Sequence, residues 1–319
     1  MIATRQGCAA GVWGVALCLL LGCANPPPPQ PLAPSTRPLA TRVQTFRLQG
    51  DRWMARGDLA RAEEAYGEAG KMAESLDDVT GRISVLNDLG HVAFDRGAMH
   101  EAIAFHQRAV ALAQQFGETK LWIDALTALG AAEYHEGQID VAGQRYQQAL
   151  DLLRQSPDQR TEAILRNNLG LVRQAKGEME LAGQLFRQAM TLNQVAGHLE
   201  AEASNHVNLG ILAEERHEYE TAEQEFERAL ELDKTAERRT EIAADLLRLS
   251  RIAERRGFSD RAMSYAERAY RSFLAQGDRS QAVEALTRAV GYARKLGQGG
   301  EVARLEKELS GLTLSRSGR

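Results

Sequence analysis

The sequence predicts an all-α protein built as a solenoid of stacked helical hairpins. The pair Leu-Gly recurs at residues 89–90, 129–130, 169–170 and 209–210, so each step is 40 residues. A fixed period of this length is typical of repeated supersecondary units rather than of one globular core. The composition agrees, because helix formers such as Ala, Leu, Glu and Arg are abundant and aromatic residues make up only 6% of the chain.

Charge and cysteine content exclude several classes of function. The formal net charge of -4 is too small to indicate a nucleic-acid partner. The three cysteines, Cys8, Cys18 and Cys23, all lie near the amino terminus. We therefore expect neither a disulfide framework nor a zinc site or thiol enzyme in the body of the protein.

The amino terminus has the pattern of an export signal over residues 1–22. Arg5 precedes an apolar run from Cys8 to Leu21, and the run ends in Leu20-Leu21-Gly22-Cys23, which resembles the lipobox of bacterial lipoproteins. The resemblance implies cleavage behind Gly22, acylation of Cys23 and a membrane anchor. Ala24 after the cysteine then indicates the periplasmic face of a Gram-negative outer membrane. A plain signal peptide or an uncleaved anchor is the alternative, although the run is short for spanning a bilayer.

Residues 23–41 are predicted to form a tether. Seven of the eight prolines in the chain lie there, and proline favours an extended polyproline helix because it lacks an amide donor. At about 3.1 Å per residue, the segment could hold a folded domain roughly 50 Å from the lipid. A ligand for a polyproline-binding domain is the weaker alternative.

The repeated units have a recognisable residue pattern. In the first unit the pattern residues are Phe46, Gly50, Trp53, Gly57, Leu59, Ala62, Tyr66 and Ala69, and later units keep many of them at steps of 40. This pattern resembles the tetratricopeptide repeat, in particular the long-period repeats of kinesin light chains and the Pins/LGN family. The resemblance covers residues 42–312 and implies a right-handed superhelix of about seven repeats, starting near residues 43, 83, 123, 163, 203, 243 and 283. Residues 313–319 are expected to form a flexible tail.

The pattern has a physical basis in close helix packing and tight turns. Ala62, Ala69 and Gly50, with their equivalents, are small enough to let the two helices of a hairpin approach each other. Gly57 and its equivalents are expected to end the first helices in the left-handed region. In the fifth unit His217 replaces this glycine, which predicts a modest local strain.

Catalytic motifs do not emerge from the sequence. His100-Glu101 begins like a zinc-protease helix, but Ala104 occupies the position where the second histidine would be needed. Gly-x-Ser-x-Gly and phosphate-binding loop motifs are missing from the sequence as well. We therefore expect a protein that is not an enzyme and that uses no cofactor and no metal.

A binding groove remains as the candidate site. The resemblance implies that the first helices line the concave side of the superhelix and that particular positions of each unit point inward. In this sequence those positions hold Asn87, His91, Phe94, Tyr134, His135, Asn167, Asn168, Leu171, Asn208, Ile211, Arg248, Arg251 and Arg255.

This set suggests a clamp for a peptide or protein segment. Asparagine amides can both donate to and accept from a peptide backbone. The arginines share one helical face and could receive an acidic residue or a terminal carboxylate. Structural interpretations stay open: Asn168 and Asn208 could join neighbouring first helices, the arginines could pair with Glu241 and Glu254, and His91 could be an ordinary surface residue.

The sequence thus predicts a lipid-anchored, protein-binding scaffold, in envelope, pilus or secretion assembly. One alternative is a pilotin-like escort of a single outer-membrane client. The other is a regulatory receptor that responds to a peptide or small ligand in the groove.

Overall fold

The structure is a computed structural model that describes the backbone of residues 39–314 and the side chains of residues 42–312. The predicted signal, Cys23, most of the tether and most of the tail lie outside these residues. Every regular element of residues 39–314 is an α-helix, and none of these helices is long and apolar enough to cross a membrane. The helices are α1 (Leu39–Met54), α2 (Leu59–Ser75), α3 (Val79–Asp95), α4 (Met99–Phe116), α5 (Thr119–His135), α6 (Ile139–Leu153), α7 (Gln159–Ala175), α8 (Met179–Ala196), α9 (Leu199–Glu215), α10 (Tyr219–Thr235), α11 (Arg239–Arg255), α12 (Ser259–Ala275), α13 (Arg279–Lys295) and α14 (Gly299–Leu314).

Consecutive helices pair into seven hairpins, from α1 with α2 to α13 with α14. This confirms the predicted all-α solenoid of about seven repeats. The first helices of repeats two to seven begin four residues before the expected unit starts. Asp78, Asp158 and Asp278 explain three of these starts, because each carboxylate accepts a hydrogen bond from the backbone N–H three residues later and so caps a first helix.

The turns within the hairpins are tight, and they use the left-handed region as predicted. Gly57 has a φ of 72° and Gly137 a φ of 83°. His217 adopts the same conformation at 63°, so the repeat pattern imposes the glycine conformation on a residue with a side chain. The junctions between repeats also use this region, at Gly117, Gly197 and Gly277 and, without glycine, at Asp77 and Glu237.

Each of the first five hairpins is closed by a glycine against a ring on the second helix. A Cβ atom built on Gly170 would lie 2.5 Å from the ring of Phe186, and one on Gly210 would lie 2.6 Å from the ring of Phe226. In the sixth hairpin both residues of this glycine–ring pair are replaced, with Ser250 at the glycine position and Ala266 at the ring position. The Ser250 hydroxyl donates to the carbonyl oxygen of Ala262 at 2.8 Å, so a hydrogen bond joins the two helices where the earlier hairpins have a contact between glycine and a ring.

Curvature places the first helices on the inner side of the array. In the first four repeats the first helices contact one another directly, α1 with α3, α3 with α5 and α5 with α7. Side-chain bonds continue this line to the last repeat, as between Glu214 on α9 and Arg251 on α11. The exposed side chains of the odd-numbered helices therefore form a concave surface.

Candidate functional site

A groove cavity lies on the concave surface of the first four repeats. It has a volume of about 460 Å³ and is lined by side chains of α1, α3, α5 and α7. Three of the predicted groove residues, Asn87, His91 and Asn168, line this cavity. The structure therefore brings together predicted residues that are up to 81 positions apart in the chain.

Asn87 is turned mainly toward its own hairpin. Its side-chain oxygen lies 2.8 Å from Nδ1 of His106 on α4, and the residue is buried. His106 occupies the ring position of the second repeat, where the other early repeats have Tyr or Phe. Burial, together with the nearby His91, lowers the pKa of His106 to about 3, so the ring is neutral and bonds to the amide.

The predicted aromatic residues form an edge-to-face row along the groove. The rings of Phe94 and His135 are 4.9 Å apart at an interplanar angle of 86°. Tyr134 contacts the same histidine at 6.0 Å, and burial, with the charge of Glu215, raises the pKa of its phenol. Phe94 and Tyr134 are half-buried while His135 is exposed, so this row presents both an apolar and a polar edge.

The side chains of Asn167 and Asn208 are hydrogen-bonded to each other and do not point freely into the groove. The Asn167 side-chain oxygen accepts from Nδ2 of Asn208 at 2.7 Å and from Nδ2 of Asn205 at 3.0 Å. Asn205 in turn accepts from Asn193 on α8 at 2.7 Å. These four residues form an asparagine network that joins repeats four and five. The structural interpretation is therefore confirmed for Asn208, whereas Asn168 keeps only a 3.5 Å contact with Asn167.

The next junction has the same arrangement with carboxyl groups in place of amides. Asp233 on α10 and Asp245 on α11 stand 40 residues after Asn193 and Asn205, and both are buried, with relative exposures of 2% and 0%. Burial raises the pKa of Asp245 to about 7, although its pairing with Arg248 lowers the pKa, and the negative charge of Asp233 adds to the rise. Burial and the neighbouring charge of Asp233 therefore favour the protonated form of the Asp245 carboxyl.

Leu171 and Ile211 are half-buried, and each packs against a core cluster of its own region. They therefore combine a core role with a partly exposed apolar surface on the concave side.

The predicted arginine face is real, but its pairing partners were predicted wrongly. Arg248 pairs with Asp245 at 2.6 Å, and Arg251 forms a two-pronged pair with Glu214 at 2.6 and 2.7 Å. The expected partners are used elsewhere, because Glu241 bonds Arg238 and Glu254 bonds Lys295 and Tyr292. For Arg251 the error arose because the sequence does not show the facing side chain of the neighbouring repeat, whereas Asp245 lies three residues before Arg248 on the same helix and could have been predicted from the helical period.

Arg255 is the member of this face that stays available. It is exposed at the end of α11, and it has no ion-pair partner among the side chains of residues 42–312.

Asp124 and Ile164 also line the groove cavity but were missed in the sequence. They stand 40 residues apart, at the same position of repeats three and four. This position is one helical turn before the predicted groove position that Asn168 occupies in repeat four. The signal that could have found them is the helical period itself, since residues 124 and 128 share a face. Ile164 is 43% exposed, which is unusual for a large apolar side chain on a packed helix.

A second cavity, of about 430 Å³, lies at the edge of repeats four and five. It is lined by Ile164, Leu199, His198 and Arg160 among others. Because Ile164 lines both cavities, the edge cavity adjoins the groove cavity. Between residues 42 and 312 no three His, Cys, Asp or Glu side chains are grouped as a metal ion would require.

The fold and groove define a helical-hairpin repeat protein, and sequence comparison identifies its family. The model of the MalT-like TPR region matches residues 34–194, and a tetratricopeptide-repeat model matches residues 160–235. The chain belongs to the tetratricopeptide-repeat family. No curated protein sequence matches it.

Solved structures share the fold at low sequence identity. A Rap protein complexed with Competence and Sporulation Factor is 13% identical, with 81% of this chain and 76% of that chain covered and a TM-score of 0.60. The apo quorum sensor NprR from B. thuringiensis is 14% identical, with coverages of 86% and 77% and a TM-score of 0.63. A putative kinesin light chain from Podosopora anserina is 15% identical, with coverages of 61% and 97% and a TM-score of 0.50. The predicted likeness to kinesin light chain repeats is thus confirmed at the level of the fold.

Proposed function

We propose that this protein is a non-enzymatic scaffold that binds a peptide segment of a partner protein in its concave groove. The groove cavity carries the proposal, because it combines apolar surface at Ile164 with the side chain of Asn168. The Asn168 Nδ2 group has no hydrogen-bond partner among residues 42–312, so it can donate to a peptide carbonyl. Recognition of a peptide by a repeat array of this kind is in keeping with the Rap protein that was solved with a bound factor.

The partner-binding surface extends beyond the cavity toward the last repeats. Leu171 and Ile211 offer apolar contact in the middle of the concave side, and Arg255 offers a free guanidinium for an acidic side chain or a terminal carboxylate. Asn208 and Asn167 support this surface by holding repeats four and five together.

The groove is tested by crosslinking in cells and affinity purification of the full protein. The groove variant combines Ile164→Ala with Asn168→Ala on α7. The matched control combines Leu181→Ala with Gln184→Ala on α8, where Leu181 is 47% exposed and Gln184 is exposed as well. We expect the groove variant to lose partners that the wild type and the control both recover. Equal recovery by all three would contradict binding in the groove.

The proposed setting is the periplasmic face of an outer membrane, with acylated Cys23 as the anchor and residues 24–38, which precede α1, as the tether. It rests on the sequence resemblance to bacterial lipoproteins. We expect Cys23→Ser to move the protein from the membrane to the soluble fraction and to remove the mass of the acyl chains. The variants Cys8→Ser and Cys18→Ser serve as controls and should stay in the membrane, so release of all three or of none would contradict lipidation at Cys23.

A peptide-responsive receptor is the second candidate, favoured by the similarity in fold to the quorum sensor NprR. In that case a ligand would change the curvature of the array, and small-angle scattering would show a changed radius of gyration on binding. A scaffold would bind with the curvature unchanged. A third candidate is the escort of one outer-membrane client. Recovery of a single abundant partner in the crosslinking experiment would distinguish an escort from a scaffold.

A further inference from the structure

The groove cavity contains one charge that the protein does not neutralise. Three formally charged side chains line it, namely Arg47, Asp88 and Asp124. Arg47 donates to both carboxylate oxygens of Asp88, at 2.6 and 3.2 Å, so these two charges cancel. The net charge of the lining is therefore the single negative charge of Asp124.

Asp124 faces the cavity without a partner. Its carboxylate has no hydrogen bond or ion pair among the side chains of residues 42–312. The Asp124 side chain is exposed on the concave side. Its partial desolvation, with the charge of Asp158, raises the pKa of the carboxyl although Lys120, one turn earlier on α5, lowers it. A carboxylate in this situation is stabilised by any cation that enters the cavity, because such a cation supplies the missing countercharge.

The surroundings of Asp124 have room for an extended side chain. The neighbouring inward positions on α5 are Ala128 and Ala131, which are small and line the same cavity. Ile164, on the next first helix, is the bridge to the edge cavity. An extended chain that places a long basic side chain on Asp124 can therefore bring a nearby apolar side chain onto Ile164.

We propose, resting on the function proposed above, that the groove selects peptides in which a Lys or Arg side chain pairs with Asp124 and a neighbouring apolar side chain packs on Ile164. The occupant is thus a basic-apolar segment of a partner protein. The negative lining discriminates against acidic segments at this end of the groove, while Arg255 attracts them at the other end.

The test is selection of short random peptides from a displayed library on three immobilised proteins: the wild type, Asp124→Asn and the control Asp151→Asn. Asp151 is exposed on α6, a second helix, so the control removes a carboxylate far from the groove cavity. We expect Lys and Arg to be enriched in peptides selected by the wild type and by the control, but not in those selected by Asp124→Asn. Enrichment of the same basic residues by all three proteins would overturn the assignment to Asp124.

Synthetic peptides from the wild-type selection then give a double-mutant cycle. Replacing the basic residue by norleucine is expected to weaken binding about five-fold to the wild type, but not to Asp124→Asn, as for a single partly exposed ion pair. An equal loss on both proteins would contradict the pair. Acetylating the amino terminus distinguishes the sources of positive charge, because a loss of binding on acetylation would assign Asp124 to a terminal amine instead of a side chain.

The two proposals fail differently. If no peptide is enriched above background on the wild type, peptide binding in the groove is itself wrong, and the charge preference falls with it. If peptides are enriched and compete with one another but show no basic preference, the groove stands and only the role of Asp124 is overturned.

Discussion

The glycine of each first helix sets how closely the second helix can approach. At Gly210 a Cβ would lie 2.6 Å from a fully buried phenyl ring, that of Phe226, and a buried ring cannot move aside cheaply. Gly210→Ala should therefore lower the free energy of unfolding by about 1–3 kcal/mol, as overpacking of a core does. Urea denaturation followed by circular dichroism measures the change.

Gly67→Ala is the matched control for this substitution. Gly67 lies within α2, and a Cβ there would meet nothing within 4 Å. Alanine at this site should raise the stability by about 0.5–1 kcal/mol through helix propensity alone. If both substitutions acted with the same sign, the contact with Phe226 would not be what requires glycine at residue 210.

The sixth hairpin indicates which residues can replace the first-helix glycine and the second-helix ring. It has Ser250 and Ala266 where the fifth has Gly210 and Phe226. We expect Gly210→Ser and Phe226→Ala to be destabilising singly and less than additive together, because the smaller residue makes room for the serine. Strict additivity of the two unfolding free energies would contradict direct contact between these positions.

The residue scale is also where sequence analysis was most informative. The 40-residue period, with the resemblance to the tetratricopeptide repeat, predicted that Gly170 and Gly210 allow the two helices of a hairpin to approach closely. It could not indicate that His106 fills the ring position of the second repeat with a buried, neutral imidazole. The ring is neutral because it is buried near His91, and its hydrogen-bond partner Asn87 lies 19 residues away in the chain.

At the scale of elements, the asparagine network decides how α7, α8 and α9 are joined. Asn167 accepts from both Asn205 and Asn208, so Asn167→Ala leaves the amide donors of two side chains without a partner. We expect a loss of about 1–3 kcal/mol in unfolding free energy. Asn168→Ala should change stability by less than about 0.5 kcal/mol, because its side chain faces the groove.

Chemical denaturation of these two variants separates the structural from the binding role. An equally large loss from Asn168→Ala would show that it too holds repeats together. The sequence placed Asn167, Asn168 and Asn208 on the same inward face, but it could not separate these roles. The partners are set by how far one first helix is rotated against the next, which is a property of the packed array.

The carboxyl pair at the following junction predicts a pH dependence. An acid with a raised pKa in the folded state stabilises the fold fully below its unfolded pKa of about 4, and this contribution is lost as pH rises through the folded pKa. For Asp245 the folded pKa is about 7. The free energy of unfolding should therefore fall between pH 4 and pH 8 from this site, by up to about 4 kcal/mol.

Asp233→Asn combined with Asp245→Asn should remove most of this dependence. The double substitution reproduces the amide pair of Asn193 and Asn205, in which one side chain donates to the other at 2.7 Å. Denaturation midpoints from pH 5 to pH 8 measure the effect against the wild type. An unchanged pH profile in the double variant would mean that other groups titrate instead, and Arg238 and Arg248 would then be sufficient to keep both carboxylates ionised.

For the whole molecule, the repeat period predicted the architecture because each hairpin contacts mainly its neighbours along the chain. The local pattern was therefore nearly sufficient for the fold. The functional surface was harder to predict, because Asp124 on α5 becomes a neighbour of Ile164 and Asn168 on α7 only through the packing of one repeat against the next. The ion pair between Arg251 of repeat six and Glu214 of repeat five could not be predicted for the same reason.

This independence of repeats predicts that one whole period can be removed. Deleting residues 199–238 joins the end of α8 directly to α11 and removes the fifth hairpin. Asp245 and Arg248 stand 40 residues after Asn205 and Asn208, which are the present partners of Asn193 and Asn167. The new junction would therefore place Asn193 against Asp245 and Asn167 against Arg248. Each polar group then finds a partner, since an amide donates to the Asp245 carboxylate and a guanidinium donates to the Asn167 oxygen.

We therefore expect a folded protein with six hairpins, a shorter array in small-angle scattering and a denaturant m-value lower by about one-seventh, because m scales with the surface exposed on unfolding. The fall in its stability between pH 4 and pH 8 should be smaller but still present, because Asp245 stays buried while the charge of Asp233 is replaced by the amide of Asn193, which favours the ionised form of Asp245. Deletion of residues 199–218, half a period, is the control, and it should aggregate because the second helix α8 would then be followed by another second helix, α10. If the six-hairpin protein failed to fold while its other junctions were unaltered, the junctions would not be interchangeable, and the equivalence of Asn193 with Asp233 and of Asn205 with Asp245 would be wrong.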